Sequence, residues 1–190
     1  PYVSICEGDD YFIDPRKLQK QADALDAHPD VSVCAHPVEV FLQATGEKSI
    51  YPDVSKKDFR FMRNRSLFIL PELLRINFIQ TNSVLYRWRF PKELPPWFNG
   101  QIMPQDWYWH ILHAETGKIL YLWEVMSGYR RHDMGIWATA YSSPEEHVLK
   151  WAYPMLRWFQ ALNRHFDGRY WNIFRPQMVN IFRCLIRHSA

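Results

Sequence analysis

The stretch SICEGDDYFIDP, residues 4–15, decides how the rest of the chain is read. An apolar, strand-like run from Tyr2 to Cys6 ends in a turn that carries Glu7, Asp9 and Asp10. Carboxylates this close repel one another, so the turn needs water, a bound cation or a structural counter-charge. A solvated acidic loop and a cation site both fit these residues. Directly after them, Asp14 followed by Pro15 is a helix-start signal, a capping carboxylate with proline at the first helical position. Leu18, Ala22 and Leu25 continue at helical spacing, and Pro29 ends the element. Strand, acidic turn and helix follow in the order by which open α/β sheets present ligands at the carboxyl ends of their strands.

Beyond the helix, VSVCA (31–35) alternates as a second strand, and VEVFLQ (38–43) continues extended to a turn at Thr45-Gly46. Residues 52–65 are basic and irregular and read as a loop with a short turn of helix. SLFILPELLR (66–75) reads as a helix bent or restarted at Pro71, and NSVLYRW (82–88) as a strand. A loop rich in Pro, Trp and Phe (90–104) leads to QDWYWHILHAETG (105–117), a helix closed by Gly117. KILYLWEVMSGYR (118–130) reads as one strand running out into a loop. From Ser143 the pattern turns helical. Val148, Trp151, Met155, Trp158 and Leu162 recur at three- and four-residue spacing, with Lys150, Arg157 and Arg164 on another stripe. A second helix over 174–188 sets Met178, Ile181 and Leu185 on one face. The expected organisation is an α/β domain over 1–140 and a helical C-terminal extension over 141–190.

Composition narrows the function classes. A chain of 190 residues can bury one core plus a helical appendage. Nine tryptophans and 16% aromatic residues are an excess that suits sugar stacking, a partner surface, a membrane interface or a core. The net charge of +3, with no dense Lys/Arg run, argues against nucleic acid as a partner. Cys6, Cys34 and Cys184 are scattered, form no disulfide framework, and read as reduced thiols of a cytoplasmic protein. No signal peptide is visible, and no apolar run approaches the roughly 18–20 residues that span a bilayer. The chain opens on Pro1 and enters a strand at once, which reads as a piece of a longer sequence.

Asp and Glu oxygens at a strand end suit hard divalent cations such as Mg2+ or Mn2+, which bridge to substrate phosphates. Asp106, at the start of the helix over 105–117, is placed where the helix dipole favours the ionised form, as a general base or as an ordinary cap. His110 and His113 follow on the same stripe, where packing is the ordinary role and metal ligation the rarer one.

At these residues the chain resembles a known family. EGDDYFIDPRKLQKQADALDAHPDVSVCAH (7–36) is similar to the central segment of family 2 glycosyltransferases of the GT-A fold. In that family an acidic D-x-D or D-x-D-D turn precedes an aromatic residue, a Pro-x-Lys-Leu helix and a short strand. FIQTNSVLYR (78–87) resembles the family's acceptor-side strand, and MPQDWYWHILHAETGKILYLWEVMSGYRRHDMG (103–135) its base helix and following strand. The resemblance implies a partial GT-A type α/β fold, a mixed sheet with flanking helices, followed by the helical tail. It implies an inverting transfer, in the cytoplasm, of a sugar from a nucleotide-diphosphate sugar to a glycan or lipid-linked acceptor, assisted by Mg2+ or Mn2+. By the same resemblance Glu7 and Asp9 stand at the two ends of the D-x-D motif, and Asp9 and Asp10 hold the metal and the donor. Glu7 departs from the family's usual Asp. Asp106 matches the general base, in QD where the family has ED or GD. His132, in YRRHDMG, matches a YRxH segment and with Arg130 or Arg131 would meet the diphosphate or the metal, an ordinary loop histidine being the other reading. Asn82 and Ser83 fall where the acceptor-facing strand begins. Trp109 is placed to stack on an acceptor sugar, whereas Trp107 is expected in the core. The family's first βαβ unit, which binds the nucleotide base, has no counterpart in these residues.

A reading of another class is a non-catalytic interaction module built on a transferase fold, which Glu7 and the missing first unit favour. Asp9, Asp10 and Asp106 together favour catalysis. The basic and aromatic helices of the tail fit packing within the chain, a homodimer, or peripheral contact with the inner face of a membrane. Pro154 and Pro176 are expected to break the long stripe that membrane contact prefers.

Overall fold

The structure is a computed structural model and describes residues 1–89, 105–135 and 144–188. The chain divides into two compact units, Pro1–Pro91 with Asp106–His132, and Lys92–Gln105 with Asp133–Ala190. The loop expected over 90–104 and the domain boundary expected at 140 lie outside the described residues.

In the first unit, β1 (Tyr2–Ser4) and β2 (Tyr11–Phe12) flank the acidic turn and lead to α1 (Lys17–Ala27). There follow β3 (Val31–Ala35), β4 (Val38–Leu42), β5 (Lys48–Tyr51), β6 (Leu67–Phe68), α2 (Leu70–Arg75) and β7 (Leu85–Arg87). α3 (Gln105–Ala114), β8 (Lys118–Tyr121) and β9 (Ser127–Arg131) complete it. The fold is mixed α/β with two mixed sheets, ordered β1-β7-β3-β8-β6 and β2-β9-β4-β5. β3 and β8 are parallel neighbours in the first sheet, and β4 and β9, the strands that follow them, are parallel neighbours in the second. Two stretches of chain therefore cross from one sheet to the other side by side. The sequence reading took 118–130 as one strand, but residues 122–126 carry the chain between sheets and split it in two.

β3 is buried along its whole length, and Val31 and Cys34 pack with Leu25, Leu85 and Leu120 in one core cluster. The buried stripe of α1 is Lys17, Gln21 and Leu25, not the stripe through Leu18, which is exposed. The i, i+4 spacing is helical as expected, one residue displaced, because Lys17 and Gln21 satisfy each other inside. Lys17 Nζ donates to Gln21 Oε1 at 2.9 Å and lies over the Phe12 ring. Asp14 caps as a turn residue, its Oδ1 accepting from the Arg16 N–H at 2.8 Å, and the helix proper begins at Lys17. Residues 66–75 are not one helix. Leu67–Phe68 pairs antiparallel with β8, and α2 starts just before Pro71, where a missing N–H costs nothing. Residues 81–83 form a 3-10 turn, so the strand expected from Asn82 begins at Leu85.

The second unit contains α4 (Pro144–His165) and α5 (Trp171–His188), joined by a turn in which Asp167 and Gly168 take left-handed φ of 49° and 73°. Trp158, Phe159 and Leu162 of α4 are buried, as are Ile173, Phe174 and Met178 of α5, and Phe159 meets Phe174 at 5.8 Å between ring centroids. Pro154 and Pro176 lie inside these helices without interrupting them, which corrects the expectation that they break the stripe. Among the described residues no helix is long and apolar enough to cross a membrane.

Gly117 earns its place by close approach rather than by a left-handed cap. A Cβ there would lie 2.8 Å from the Asp30 carbonyl and 3.0 Å from the Ser32 backbone nitrogen, where the Lys118 N–H donates to Asp30 O at 2.9 Å and opens the β3–β8 pairing. Both neighbours are main chain and cannot swing aside. Gly117→Ala should destabilise the first unit by about 1–3 kcal/mol, the usual cost of overpacking, as read by equilibrium urea denaturation. Unchanged stability would mean that the β3–β8 start is loosely held.

Candidate functional site

The site forms because a two-residue strand returns the chain to β9 directly after the acidic turn. The turn closes with the Asp10 N–H donating to the Glu7 carbonyl at 3.1 Å. Tyr11 and Phe12 then pair with Gly128 and Ser127. That register brings the next residues of β9 to the carboxylates. The Arg130 backbone N–H donates to Asp10 Oδ1 at 3.1 Å, and Arg130 Nε–H donates to the Asp9 carbonyl at 3.0 Å. His132 Nε2–H donates to Asp9 Oδ2 at 2.9 Å. The structure thus gathers Asp9 and Asp10 with Arg130 and His132, two pairs that stand 120 residues or more apart in sequence.

The three carboxylates differ in their electrostatics. The hydrogen bond from His132 holds Asp9 below the ordinary carboxylate range. Burial, and then the charge of Asp9, push Asp10 up to about 6 against the pull of the Arg130 N–H and its charge. Glu7 is exposed at the surface of the turn, yet partial loss of solvent, then the charges of Asp10, Asp106 and Asp9, push it up to about 6. The charge of Asp106 therefore reaches the turn. Burial raises Asp106 too, opposed by the backbone N–H groups of Trp107 and Asp106 at the start of α3. The backbone at the helix start thus holds Asp106, and its charge acts on Glu7 in the acidic turn.

Asp9 and Asp10 were expected to hold a divalent metal. Among the described residues no group of three or more His, Cys, Asp and Glu is arranged for an ion. Asp10 Oδ2, however, is buried with no hydrogen-bond partner among the described residues, and Asp9 and Glu7 are further carboxylates of the same turn. Magnesium keeps several waters and often takes only one or two protein carboxylates together with substrate phosphates. The residues present fit such an ion, with Asp10 as the foremost ligand. His110 and His113 do not belong to the site. Tyr86 OH meets His110 Nδ1 at 2.6 Å, the His113 ring stacks on Tyr86 at 3.9 Å, and burial drives the two imidazoles down to about 3 and about 4. They are neutral core histidines.

The acceptor roles expected of Asn82 and Ser83 give way to structural ones. Both residues are fully buried. Asn82 Nδ2 donates to the Gly128 carbonyl at 2.8 Å, and Ser83 Oγ donates to the Gln80 carbonyl at 2.7 Å. Trp107 lies in the core, its Nε1–H donating to the Leu73 carbonyl at 2.9 Å. Trp109 is half-buried among Trp88 and His113, at 5.8 and 6.0 Å between ring centroids, rather than presented free to a sugar.

Sequence reasoning missed the polar framework beneath the turn. Gln21 Nε2 donates to the Cys34 carbonyl at 2.9 Å and the Ser83 carbonyl at 2.8 Å, and Ser127 Oγ donates to the Asn82 carbonyl at 2.8 Å. Lys17 joins it through Gln21, and burial lowers the Lys17 ammonium to about 8. The signal was the 17-21-25 spacing, hidden because two of its three members are polar.

No protein-family model matches the chain. It is 46% identical over 143 residues to the uncharacterized proteins Mb1547 of Mycobacterium bovis and Rv1520 of Mycobacterium tuberculosis. The match covers 74% of this chain and 38% of each relative, so the chain spans well under half the length of the relatives it matches.

Glu7 and Asp10 carry folded-state values above their unfolded ones. The stability they contribute is full below about pH 4 and is lost as the pH rises through about 6. At pH 7.5, about 1.5 units above those values, both are ionised and Mn2+ should raise the melting temperature by about 3 °C, the shift that roughly 1 kcal/mol produces in a chain of this size. Below about pH 5, where both carboxyls are protonated, the shift should vanish. Asp10→Asn should raise the metal-free melting temperature at the higher pH and abolish the Mn2+ response. A full response retained in the variant would remove Asp10 from the cation site.

Proposed function

We propose that the protein carrying this chain is a metal-assisted, inverting glycosyltransferase of GT-A type. It moves a sugar from a nucleotide-diphosphate sugar to a glycan or lipid-linked acceptor on the cytoplasmic side of the cell. The observation that carries the reading is the gathering of Asp9, Asp10, Arg130 and His132 just past the carboxyl end of β1, with Asp106 near enough for its charge to raise Glu7. A base and a charged donor site must sit side by side for one displacement to occur between them.

In this reading Asp106 accepts the proton of the acceptor hydroxyl as its oxygen attacks the anomeric carbon. The bond from that carbon to the diphosphate breaks, and the nucleoside diphosphate leaves with the electron pair. A single displacement inverts the anomeric centre. Burial that raises Asp106 makes it a stronger base than an ordinary aspartate. Arg130 and His132 orient Asp10 and Asp9, and Asp10 Oδ2 has no hydrogen-bond partner among the described residues. When bound, Mg2+ or Mn2+, held by Asp10 and Asp9, would supply positive charge to the departing diphosphate.

Asp106→Asn separates the base from the donor site. In the full-length protein, titrated with Mn2+ and a panel of nucleoside-diphosphate sugars, the variant should bind donor as the parent does. Its transfer rate should fall by about 10²–10⁴, the contribution of a positioned base. Glu7→Asp, which shortens the side chain to the residue more usual in the resembled family, should retain activity. Joint loss of donor binding and fold stability in Asp106→Asn would reduce Asp106 to a helix cap. Failure of every donor to bind the parent would favour the interaction-module reading.

A further inference from the structure

The outer face of α5 has no work to do inside its own helical hairpin. Ile173, Phe174 and Met178 already bury the inner face, with Ile181 and Leu185 partly buried beside them. Yet a second apolar stripe runs the length of the helix. Trp171, Val179, Phe182 and Ile186 recur at the spacing of one helical face, and all are exposed, Phe182 at 48% and Ile186 at 72%. Arg175 lies within that stripe, and Arg183 and Arg187 run along one flank; all three are exposed. From Trp171 to His188 the helix contains no Asp or Glu.

We infer that this face docks on an anionic lipid surface, with α5 lying in the plane of the interface. An apolar stripe edged by cations and free of acids suits that environment: the side chains enter the acyl boundary while guanidinium groups meet lipid phosphates. Charge complementarity selects this occupant over a second copy. A twin α5 would set three arginines against three arginines with no acid on either helix to answer them, an arrangement that opposes association. Helical continuity through Pro176 keeps Trp171, Val179, Phe182 and Ile186 on one face, with Arg175 among them. The inference does not depend on which reaction the first unit performs.

Vesicle co-sedimentation of the full 190-residue chain tests it, using phosphatidylcholine vesicles with and without phosphatidylglycerol. The chain should pellet with the anionic vesicles at low salt, less at physiological salt, and weakly with the neutral ones. Phe182→Ser combined with Ile186→Ser should lower the partition coefficient about tenfold or more. Arg183→Gln and Arg187→Gln should each lower it about fivefold. Both positions are exposed surface, and circular dichroism should show unchanged helix content in every variant. Three results would overturn the inference: no pelleting at low salt, equal binding to neutral vesicles, or variants that bind like the parent. Light scattering adds a fourth, a concentration-dependent dimer that the Phe182 and Ile186 substitutions dissolve, which would assign the face to a second copy.

Discussion

The register of β2 against β9 is the constraint on which the rest of the site depends. Only two residue pairs define it, Tyr11 with Gly128 and Phe12 with Ser127. A slip of one residue would turn each side chain to the opposite face and carry Arg130 and His132 away from the carboxylates. The register is held from the far side. β9 is zipped in parallel to β4 from Gly128 to Arg131, and β4 follows β3, the most buried strand, after only His36 and Pro37. The Ile13 N–H adds a lock by donating to the Met126 carbonyl at 2.8 Å. The acidic turn is thus positioned by the core of the first sheet, through the second sheet.

This dependence explains what the sequence made legible. The turn itself, α3, β3 and the two tail helices were readable because each is a local pattern: a cluster of acids, a helical period, an alternation. The division of 118–130 into β8 and β9 was not, since both halves favour extended chain and only their partners in different sheets separate them. His132 was readable as a site residue by resemblance, but its bond to Asp9 depends on pairing across the whole chain. Asn82 and Ser83 mark the other limit. Their polarity at a strand start invited an acceptor role, and burial reassigns them to holding β9 and the 81–83 turn. Local pattern does not reveal whether a polar residue faces solvent or a neighbouring carbonyl.

The buried polar framework has a physical rationale of its own. Backbone carbonyls at Cys34, Ser83 and Asn82 lie where the chain leaves regular pairing and would otherwise be stranded in the interior. Gln21 serves the first two and Ser127 the third. An apolar stripe on α1 would bury as well and leave those carbonyls unpaired, at a cost of about 1–3 kcal/mol each. Lys17 completes the arrangement by donating to the one Gln21 atom that cannot donate.

Lys17 also shows what the site does not use. Its ammonium is buried near the turn and interacts with the Cys6 thiol, yet it does not offset the charge of Glu7 or Asp10, whose counter-influences come from β9 where they exist at all. Glu7 is raised by partial loss of solvent and by three acids, Asp10, Asp106 and Asp9. Optimisation for stability alone would have replaced one of these carboxylates or turned a cation toward them. The charges of Asp10, Asp106 and Asp9 raise Glu7, and burial raises Asp10 and Asp106, so ionising these carboxylates together is electrostatically costly. The cost falls when positive charge arrives with a ligand, so the arrangement that weakens the free protein is the one that would strengthen a bound complex.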